Sequence, residues 1–394
     1  MLNLSKLLID SSHYGDRLRY SKHSRGTKKG TRKDMGPIVV WNCTRACNLS
    51  CKHCYASSDS SKAEDELSTA EAKEFIEDLA DYNVPVLLFS GGEPLMRDDL
   101  DELIEYAVEK GLRVTISTNG TLINEERAEK FKELGVSYVG ISLDGLEETN
   151  NRFRGSEDAF ERALRGIRNC QDVDQKVGLR FTMTDYNREE IPQIFDLVLE
   201  EGISRVCFYH LVHKGRGKEL NDAALTNQEK RKVMKNIFDR TEEILKEYED
   251  KEILTVGNHV DGIFLYLKML EDEDKKAENV LKHLKNNGGN RSGIAIACVD
   301  WSGDVHPDQF MMGHTVGDVR KRGFGDIWDD DDTLLGKLRD RESRVKSRCY
   351  GCDWFDVCNG NFRARAEAST GDLWAEDPGC YLTLEELDRN GGGE

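Results

Sequence analysis

The chain has 394 residues, a formal net charge of −18 and 38% hydrophobic residues. That length allows two or three domains with sizeable cores. The acidic excess repels phosphate and disfavours a nucleic-acid partner; it fits either an ordinary solvated surface or a surface adapted to high salt. No apolar run predicts a membrane span, and no cationic segment followed by an apolar block predicts a secretory signal. We therefore expect a cytoplasmic protein without a membrane partner.

Six short apolar runs follow a polar, basic segment. Residues 1–36 predict a flexible N-terminal arm. After Gly36, runs rich in β-branched residues alternate with amphipathic stretches. The predicted strands are residues 38–42, 84–90, 112–118, 137–143, 177–183 and 205–211. This alternation predicts an α/β fold, an open partial (β/α)6 TIM-like barrel over residues 37–215, with reactive groups at the carboxyl ends of its strands.

The second half of the chain changes pattern. Residues 216–290 predict a helical region, and the glycine-rich run NNGGNRSG at 286–293 indicates a domain boundary. Residues 291–385 predict a C-terminal domain that contains five of the eleven cysteines, and residues 386–394 predict a disordered tail. In a reducing compartment, so many cysteines are more often metal ligands or catalytic groups than disulfides.

Three cysteines follow the first predicted strand. Cys47, Cys51 and Cys54 stand in CTRACNLSCKHCYA. Three thiolates can bind three irons of a 4Fe–4S cluster and leave one iron open for a small ligand with an amine and a carboxylate. The alternative is a zinc site completed by His53. Cys43, four residues earlier, is predicted to be buried packing.

Polar motifs end the following strands. SGGEP at 90–94 ends the second strand, and its Gly91 and Gly92 allow close backbone approach to a ligand, while Glu93 offers a carboxylate to an ammonium group. Ser117 and Asn119 in STNG end the third strand and can donate hydrogen bonds. SLDG at 142–145 ends the fourth and is followed by NRFRG at 151–155.

The CxxxCxxC spacing followed by the aromatic Tyr55 resembles the cluster loop of the radical SAM superfamily. The resemblance implies a 4Fe–4S cluster whose open iron is held by S-adenosylmethionine, and a 5′-deoxyadenosyl radical formed when that cosubstrate is cleaved. It implies that GGEP meets the methionine amine and that Arg152 or Arg154 meets the carboxylate. The implied contacts to the cosubstrate are Tyr55, Gly91, Gly92, Glu93, Ser117, Asn119, Arg152 and Arg154.

A second cysteine group lies near the C terminus. Cys349, Cys352 and Cys358 are spaced CxxCxxxxxC, and Cys380 follows. Four thiolates complete a 4Fe–4S cluster with no open iron, and a tetrahedral zinc site is the alternative. The pattern resembles the SPASM/twitch extension of radical SAM enzymes, but with fewer cysteines than the full form. It implies one auxiliary cluster, and Cys298 is left without a ligand set.

Longer stretches, among them FYHLVHKGRGKEL, DVHPDQF and CNGNFRARAEASTGDLWAEDPGCYL, resemble the radical SAM proteins of siroheme-derived tetrapyrrole pathways. The resemblance implies removal of two acetate side chains from 12,18-didecarboxysiroheme to give Fe-coproporphyrin III, with a reductant such as ferredoxin or flavodoxin. Three alternatives stay open: related tetrapyrrole chemistry (heme d1 propionate removal or coproheme oxidative decarboxylation), a SPASM peptide-modifying maturase, and a non-catalytic iron–sulfur protein.

A flat substrate edged with carboxylates needs cations, and its iron can take a ligand. The candidate cations are Arg216, Arg291, Arg363 and Arg365, and the candidate iron ligands or acid–base groups are His210, His213, His259 and His306. The segment HPDQ stands where a cluster ligand would be expected. We therefore predict that His306, Asp308 and Cys298 are the candidate catalytic residues.

Overall fold

The computed structural model describes residues 1–20, 27–220 and 223–388. Its strands are β1 (Leu2–Asn3), β2 (Ile38–Thr44), β3 (Leu87–Gly91), β4 (Val114–Thr118), β5 (Tyr138–Ser142), β6 (Val177–Met183), β7 (Arg205–His210), β8 (Glu252–Val256), β9 (Ile296–Val299), β10 (Asp304–His306) and β11 (Gly317–Asp318). They form one 11-stranded sheet in the order β1-β8-β7-β6-β5-β4-β3-β2-β9-β10-β11.

Helices pack against this sheet and connect its strands. They are α1 (Leu4–Ile9), α2 (Asp16–Arg19), α3 (Thr69–Asp81), α4 (Leu100–Glu109), α5 (Glu125–Glu133), α6 (Glu147–Arg154), α7 (Ala159–Asp172), α8 (Ile191–Glu200), α9 (Asn227–Leu245), α10 (Val260–Glu271), α11 (Ala277–Asn287), α12 (Phe324–Trp328), α13 (Leu334–Arg339), α14 (Phe355–Cys358), α15 (Arg363–Thr370) and α16 (Leu384–Leu387). In the described part of the chain, no helix is long and apolar enough to cross a bilayer.

The six predicted strands correspond to β2 through β7. Neighbouring strands in this run are parallel throughout, with Trp41 beside Phe89, and Phe181 beside Phe208. Both faces of these strands are covered, so their apolar side chains are almost fully buried. The predicted α/β fold with a partial (β/α)6 barrel is confirmed, and the shared strand direction places the carboxyl ends of β2 to β7 on one side.

The ends of the first crossover helices follow from their sequence. The Ser68 side chain caps α3 and forms a capping box with Glu71. The predicted apolar face of α3 is buried, with Phe75, Ile76 and Leu79 against the sheet. Two residues beyond α4 stands Gly111, whose φ of 85° lies in the left-handed region that favours glycine.

The prediction of a flexible arm over residues 1–36 is wrong for the residues that can be compared. β1 pairs antiparallel with β8, and Leu2, Leu4 and Leu7 are in the main core. The Asn3 side chain donates to Asp16 at 3.0 Å. Basic residues dominate the composition of this segment and conceal its short apolar run, MLNLSKLLI. Residues 21–26 lie outside the described part.

Two further expectations about organisation need correction. The region predicted as helical, 216–290, also contains β8, which extends the parallel sheet beside β7; its five residues are too short to stand out among long helices. β9 pairs parallel with β2, so the C-terminal segment continues the sheet of the barrel. Of the predicted tail, Glu386 is held by Arg231 at 2.8 Å, and 389–394 lie outside the described residues.

Candidate active site

A cavity lies at the carboxyl ends of the parallel strands. The cysteine loop after β2 forms one wall, and the ends of β3 to β7 form the floor. Gln309 and Phe310, from the C-terminal segment, close another side. The cavity is thus where a parallel sheet is expected to place its reactive groups.

All three predicted ligands of the first cluster face this cavity. Cys47, Cys51 and Cys54 line it together, and the Cys47 amide donates to the Asp59 carbonyl at 2.7 Å. Burial raises the pKa of the Cys47 thiol to about 12 and also raises that of Cys51. Such thiols ionise only when a bound cation stabilises the thiolate. The donor set therefore fits a metal cluster.

Two arginines hold the cysteine loop in place. Arg154 Nη1 lies 3.6 Å from Cys51 Sγ, and its guanidinium pairs with the buried Asp144. Arg216 donates to the carbonyls of Cys51 at 2.9 Å and Ser58 at 2.6 Å. Arg216 was predicted to bind substrate carboxylates, but its Nε and Nη1 donate to the main chain. Its place is structural, as a clamp on the loop.

The turn after β3 packs backbone to backbone against the start of the cysteine loop. The Gly92 amide donates to Thr44 O and the Glu93 amide to Ala46 O, both at 2.8 Å. Gly91 has a φ of 131°, and a Cβ on Gly92 would overlap the carbonyls of residues 45 and 46. Both glycines also line the cavity. This cradle of main-chain atoms leaves room for a ligand and none for a side chain.

Glu93 serves a different purpose from the predicted ammonium contact. Its carboxylate is fully buried and accepts from Thr118 Oγ1 at 2.7 Å, the Asn119 amide at 2.8 Å and the Leu95 amide at 3.2 Å. Burial raises its pKa to about 7 against these hydrogen bonds. Glu93 is outside the cavity lining, so it positions the turn that carries Asn119.

The other residues predicted to contact the cosubstrate divide into two groups. Ser117, Asn119, Tyr55 and Arg154 all line the cavity. Tyr55 donates to Asn42 Oδ1 at 3.0 Å, and Asn119 Nδ2 donates to Asn48 Oδ1 at 2.9 Å. Arg152 is instead exposed and lies over the Tyr186 ring at 5.8 Å. The structure thus brings only one of the two arginines to the site.

The predicted catalytic residues do not reach the cavity directly. His306 is buried, with Nε2 3.2 Å from Asp300 and Nδ1 3.2 Å from the His314 carbonyl. Asp308 accepts from Ser292 and from the Phe310 amide, and burial raises its pKa. Both residues shape the turn that presents Gln309 and Phe310, so the segment is at the cavity but its acidic and imidazole groups face inward.

Cys298 is also buried. Its sulfur accepts from Asn42 Nδ2 at 3.6 Å, and Asn42 in turn binds Tyr55 of the cavity wall. Burial raises the pKa of the Cys298 thiol. Cys298 supports the wall and is not part of its lining.

The remaining predicted cations are occupied by the protein itself. Arg291 donates to main-chain carbonyls of residues 27, 30 and 31. Arg363 donates to main-chain carbonyls around 360 and 375, and Arg365 forms a two-pronged pair with Asp377 at 2.7 and 2.8 Å. Arg291 thus ties the C-terminal segment to residues 27–31, and the buried Arg363 and Arg365 fix the C-terminal segment itself.

Sequence reasoning missed Arg180, which lines the cavity from the middle of β6. Its guanidinium lies over the Tyr209 ring at 5.4 Å and donates to Ser117 Oγ. It has no carboxylate partner among the residues that the structure describes. A lone arginine in the apolar run VGLRFTM was the signal that could have found it, because charge in a buried strand is rare unless paired or functional.

The structure brings the four cysteines of the second group to one cavity. Cys349, Cys352, Cys358 and Cys380 line this small cavity together. Three come from the loop and short helix around α14, and Cys380 follows the Asp377 turn, whose carbonyl accepts from the Cys380 amide at 2.9 Å. Burial raises the pKa of Cys380 to about 12 and raises that of Cys349 and Cys358. These thiols too suit a bound cationic cluster.

No disulfide links any of the eleven cysteines, all of which are described. In the same part of the chain, no three or more His, Cys, Asp or Glu side chains are spaced to hold a single metal ion. His53, the proposed fourth zinc ligand, lies 3.3 Å from Asp144 and stacks on Phe153 at 4.7 Å, and burial lowers its pKa to about 4.

Known proteins are similar in sequence to this chain over most of its length. The radical SAM superfamily model matches residues 41–198. The Fe-coproporphyrin III synthase of Methanosarcina barkeri is 50% identical over 98% of this chain and 99% of that protein. The pre-heme d1 synthase of Dinoroseobacter shibae is 41% identical over 95% and 92%, and an AdoMet-dependent heme synthase of M. barkeri is 35% identical over 87% and 95%.

Solved structures share the fold. Streptococcus suis SuiB bound to S-adenosylmethionine superposes with a TM-score of 0.70 at 20% identity, over 89% of this chain and 78% of that chain. Native anSMEcpe with bound AdoMet gives a TM-score of 0.67 at 20% identity, over 87% and 93%. The predicted resemblance is confirmed: this chain belongs to the radical SAM superfamily, in the group of the Fe-coproporphyrin III synthase and the AdoMet-dependent heme synthases.

Proposed function

We propose that this chain removes two acetate side chains from 12,18-didecarboxysiroheme and so forms Fe-coproporphyrin III. The observation that carries the proposal is the 50% identity to the Fe-coproporphyrin III synthase, which spans 98% of this chain. Identity to the pre-heme d1 synthase is lower, at 41%. A relationship that extends over both the barrel and the C-terminal segment covers the walls of the cavity as well as the cysteine loop.

Cys47, Cys51 and Cys54 would hold the first 4Fe–4S cluster, and the Gly91–Gly92 cradle would receive the methionyl end of the cosubstrate. When bound, cluster and cosubstrate supply a carbon radical that can take hydrogen from an unactivated side chain. The protein's own task is to bind and orient. Arg154 directs its charge at Cys51 Sγ, and Asn119 and Ser117 offer hydrogen bonds to the cosubstrate.

A pair of cysteines on the same segment tests the first ligand set. Cys47→Ala should lose about half of the iron, because one of two clusters is removed. Cys43→Ala is the matched control: Cys43 is fully buried on β2 and its thiol donates to the Ser90 carbonyl at 3.3 Å. That variant should keep its iron and still cleave AdoMet. Equal iron content in the two variants would show that Cys47 is not a cluster ligand.

Cys349, Cys352, Cys358 and Cys380 would hold an auxiliary 4Fe–4S cluster. Four thiolates leave no iron open, which suits electron relay to the substrate after the acetate group leaves. With Cys349→Ala and Cys352→Ala, AdoMet cleavage should persist while the tetrapyrrole product fails to form. Cys170→Ala, in the buried face of α7, is the control. Unchanged product from the cluster variants would exclude a relay.

The cavity wall matches a flat macrocycle edged with carboxylates. Phe310 packs against Tyr55 at 5.1 Å between ring centres and offers an apolar face. Arg180 offers a charge that no described carboxylate neutralises, and a guanidinium fork suits a carboxylate. We assign Arg180 to a carboxylate of the substrate.

Expelling an acetate group as acetate requires one electron and one proton beyond the hydrogen abstraction. A low-potential one-electron carrier, such as ferredoxin or flavodoxin, would supply the electrons. Reduced ferredoxin and reduced flavodoxin should each support turnover without dithionite. If neither does, the carrier belongs to another class.

The deciding experiment is anaerobic incubation of the holoenzyme with didecarboxysiroheme, AdoMet and reductant, followed by mass spectrometry. Loss of two acetate side chains is the expected result. Loss of propionates or of carboxyl groups alone would assign the chain to related tetrapyrrole chemistry. An unchanged tetrapyrrole in an enzyme that cleaves AdoMet would overturn the proposal and direct attention to peptides, since a mycofactocin maturase is 30% identical over 88% of this chain.

A further inference from the structure

Two histidines of the described residues line the cavity and lie beside a buried carboxylate, His53 and His210. In His53 the second ring nitrogen, Nδ1, is itself buried and unpaired, which leaves His210. It ends β7 and lines the cavity, while its side chain is only 5% exposed. Its Nε2 lies 2.9 Å from Oδ2 of Asp261. Asp261 is fully buried on α10, and its other oxygen accepts from the Tyr381 hydroxyl at 2.8 Å. The imidazole is thus held in one orientation.

This partner fixes the tautomer of His210. An ionised carboxylate only accepts hydrogen bonds, so Nε2 must carry the proton that is donated to Asp261. In the neutral imidazole, Nδ1 then keeps its lone pair. Nδ1 makes no hydrogen bond with any described residue and, unlike Nδ1 of His53, is not fully buried, and the residue lines the cavity. The lone pair is therefore available to a molecule in the cavity.

An imidazole that donates one ring N–H to a carboxylate while its other nitrogen is unused is the arrangement of histidines that ligate metals. The carboxylate sets the ring orientation and raises the basicity of the ligating nitrogen. We propose that His210 Nδ1 is an axial ligand to the iron at the centre of the tetrapyrrole substrate. This inference rests on the proposed function, because the iron belongs to that substrate.

The other three candidate histidines lack this combination. His306 uses both ring nitrogens within its own turn. His259 Nε2 lies 3.2 Å from the Met1 amino group. His213, three residues after His210, is outside the cavity lining, as is His259. Sequence alone ranks the four equally, since the carboxylate of Asp261 comes from a helix 51 residues away.

An axial bond has a consequence for the chemistry. It fixes the centre of the ring but allows rotation about the bond between iron and nitrogen. Two acetate groups on different edges of one macrocycle can then be turned in succession toward the same reactive end of the cavity. A ring held only by its edge carboxylates would have to leave and bind again between the two removals.

The test uses anaerobic holoenzyme and two probes, Fe-coproporphyrin III and iron-free coproporphyrin III. With wild type, the ferric probe should show the visible and EPR spectra of an imidazole-ligated haem. The iron probe should bind roughly tenfold or more tightly than the iron-free one. His210→Gln should lose both the spectra and the preference, and added imidazole should restore the spectra in His210→Gly.

Two further variants make the result specific. His213→Gln is the matched control from the same segment and should behave as wild type. Asp261→Asn should weaken iron-probe binding by roughly tenfold while keeping His210, as expected for a group that orients a ligand. Unchanged spectra in His210→Gln, with wild-type iron content and AdoMet cleavage, would overturn the inference. This holds even if turnover falls, since His210 would then act on the reaction in another way.

Failure of the inference and failure of the proposed function give different results. If the iron probe is ligated through His210 but didecarboxysiroheme keeps its acetates, the ligand stands and the assigned reaction is wrong. If wild type removes both acetates and His210→Gln shows the wild-type spectra of the bound probe, the reaction stands and the ligand is wrong.

Discussion

Gly92→Ala should disable cosubstrate cleavage without removing any predicted ligand. A Cβ at this position would lie 2.6 Å from Arg45 O and 2.7 Å from the Ala46 carbonyl carbon, and closer still to Ala46 O. These are main-chain atoms, so no side chain can rotate to relieve the overlap. Reaching ordinary contact near 3.4 Å with the nearest of these atoms would push the two loops apart by about 1.2 Å.

The displacement falls between the cysteine loop and the cosubstrate cradle. A misplacement of about 1 Å at a reacting centre costs about 100-fold in rate, so 5′-deoxyadenosine formation should fall by about that factor. Overpacking of this kind costs about 1–3 kcal/mol of unfolding free energy. Iron content should stay near that of wild type, since Cys47, Cys51 and Cys54 are unchanged.

The assay is AdoMet cleavage by anaerobic enzyme with dithionite, measured beside iron content and urea unfolding. Gly313→Ala is the control, because Gly313 is exposed and nothing lies within 4 Å of its added Cβ. The control should match wild type in all three measurements. Cleavage by Gly92→Ala within about threefold of wild type would refute the view that backbone contact between these loops sets the cosubstrate position.

Three smaller changes test other parts of the structure. Ser68→Ala removes the cap of α3 and should lower the free energy of urea unfolding by about 1 kcal/mol, with AdoMet cleavage unchanged; an equal midpoint would show that the cap is redundant. Asp377→Asn leaves the buried Arg365 unpaired and should cost about 3 kcal/mol. Burial opposes ionisation of Asp377, but Arg365 and main-chain donors hold its pKa below the ordinary value. The stability that the ionised carboxylate contributes is therefore complete above about pH 4. The loss of unfolding free energy in Asp377→Asn should accordingly be equal at pH 6 and pH 9. Arg180→Met should raise KM for the tetrapyrrole and leave iron content and uncoupled AdoMet cleavage intact. An unchanged KM would show that Arg180 does not bind a substrate carboxylate.

The parallel strands could be predicted because burial on both faces gives them long apolar, β-branched runs. The segment around Leu2 and Leu4 could not, since two strand residues and one short helix give too little periodicity to outweigh a basic neighbourhood. β8 was missed for the same reason. β8 pairs with β7 because β7 leaves an open sheet edge. That edge exists only in the folded sheet, so the local sequence of β8 does not reveal it.

At the site, cysteine spacing and glycine-rich turns were informative because cluster geometry and close backbone contact restrict which residues fit. Charged side chains were less informative. Glu93, Arg216 and Arg365 are charged, as a ligand-binding residue would be. Each nevertheless forms its hydrogen bonds with the protein's own backbone or with a buried partner. A buried polar group needs partners wherever it lies, so residue type alone does not separate a binding role from a structural one.

Few cations face the cavity, and this limits how a ring with several carboxylates can be held. Of the three arginines in the lining, Arg154 is paired with Asp144 and Arg216 with main-chain carbonyls, which leaves Arg180. Most carboxylates of the bound ring must then remain at the cavity opening, in water, while the ring itself packs on Phe310 and its iron is held by His210. Because a single buried contact is little screened by salt, tetrapyrrole affinity should change by less than about threefold between 0.05 and 0.5 M salt. A steep loss of affinity over that range would show that surface cations outside this cavity bind the ring.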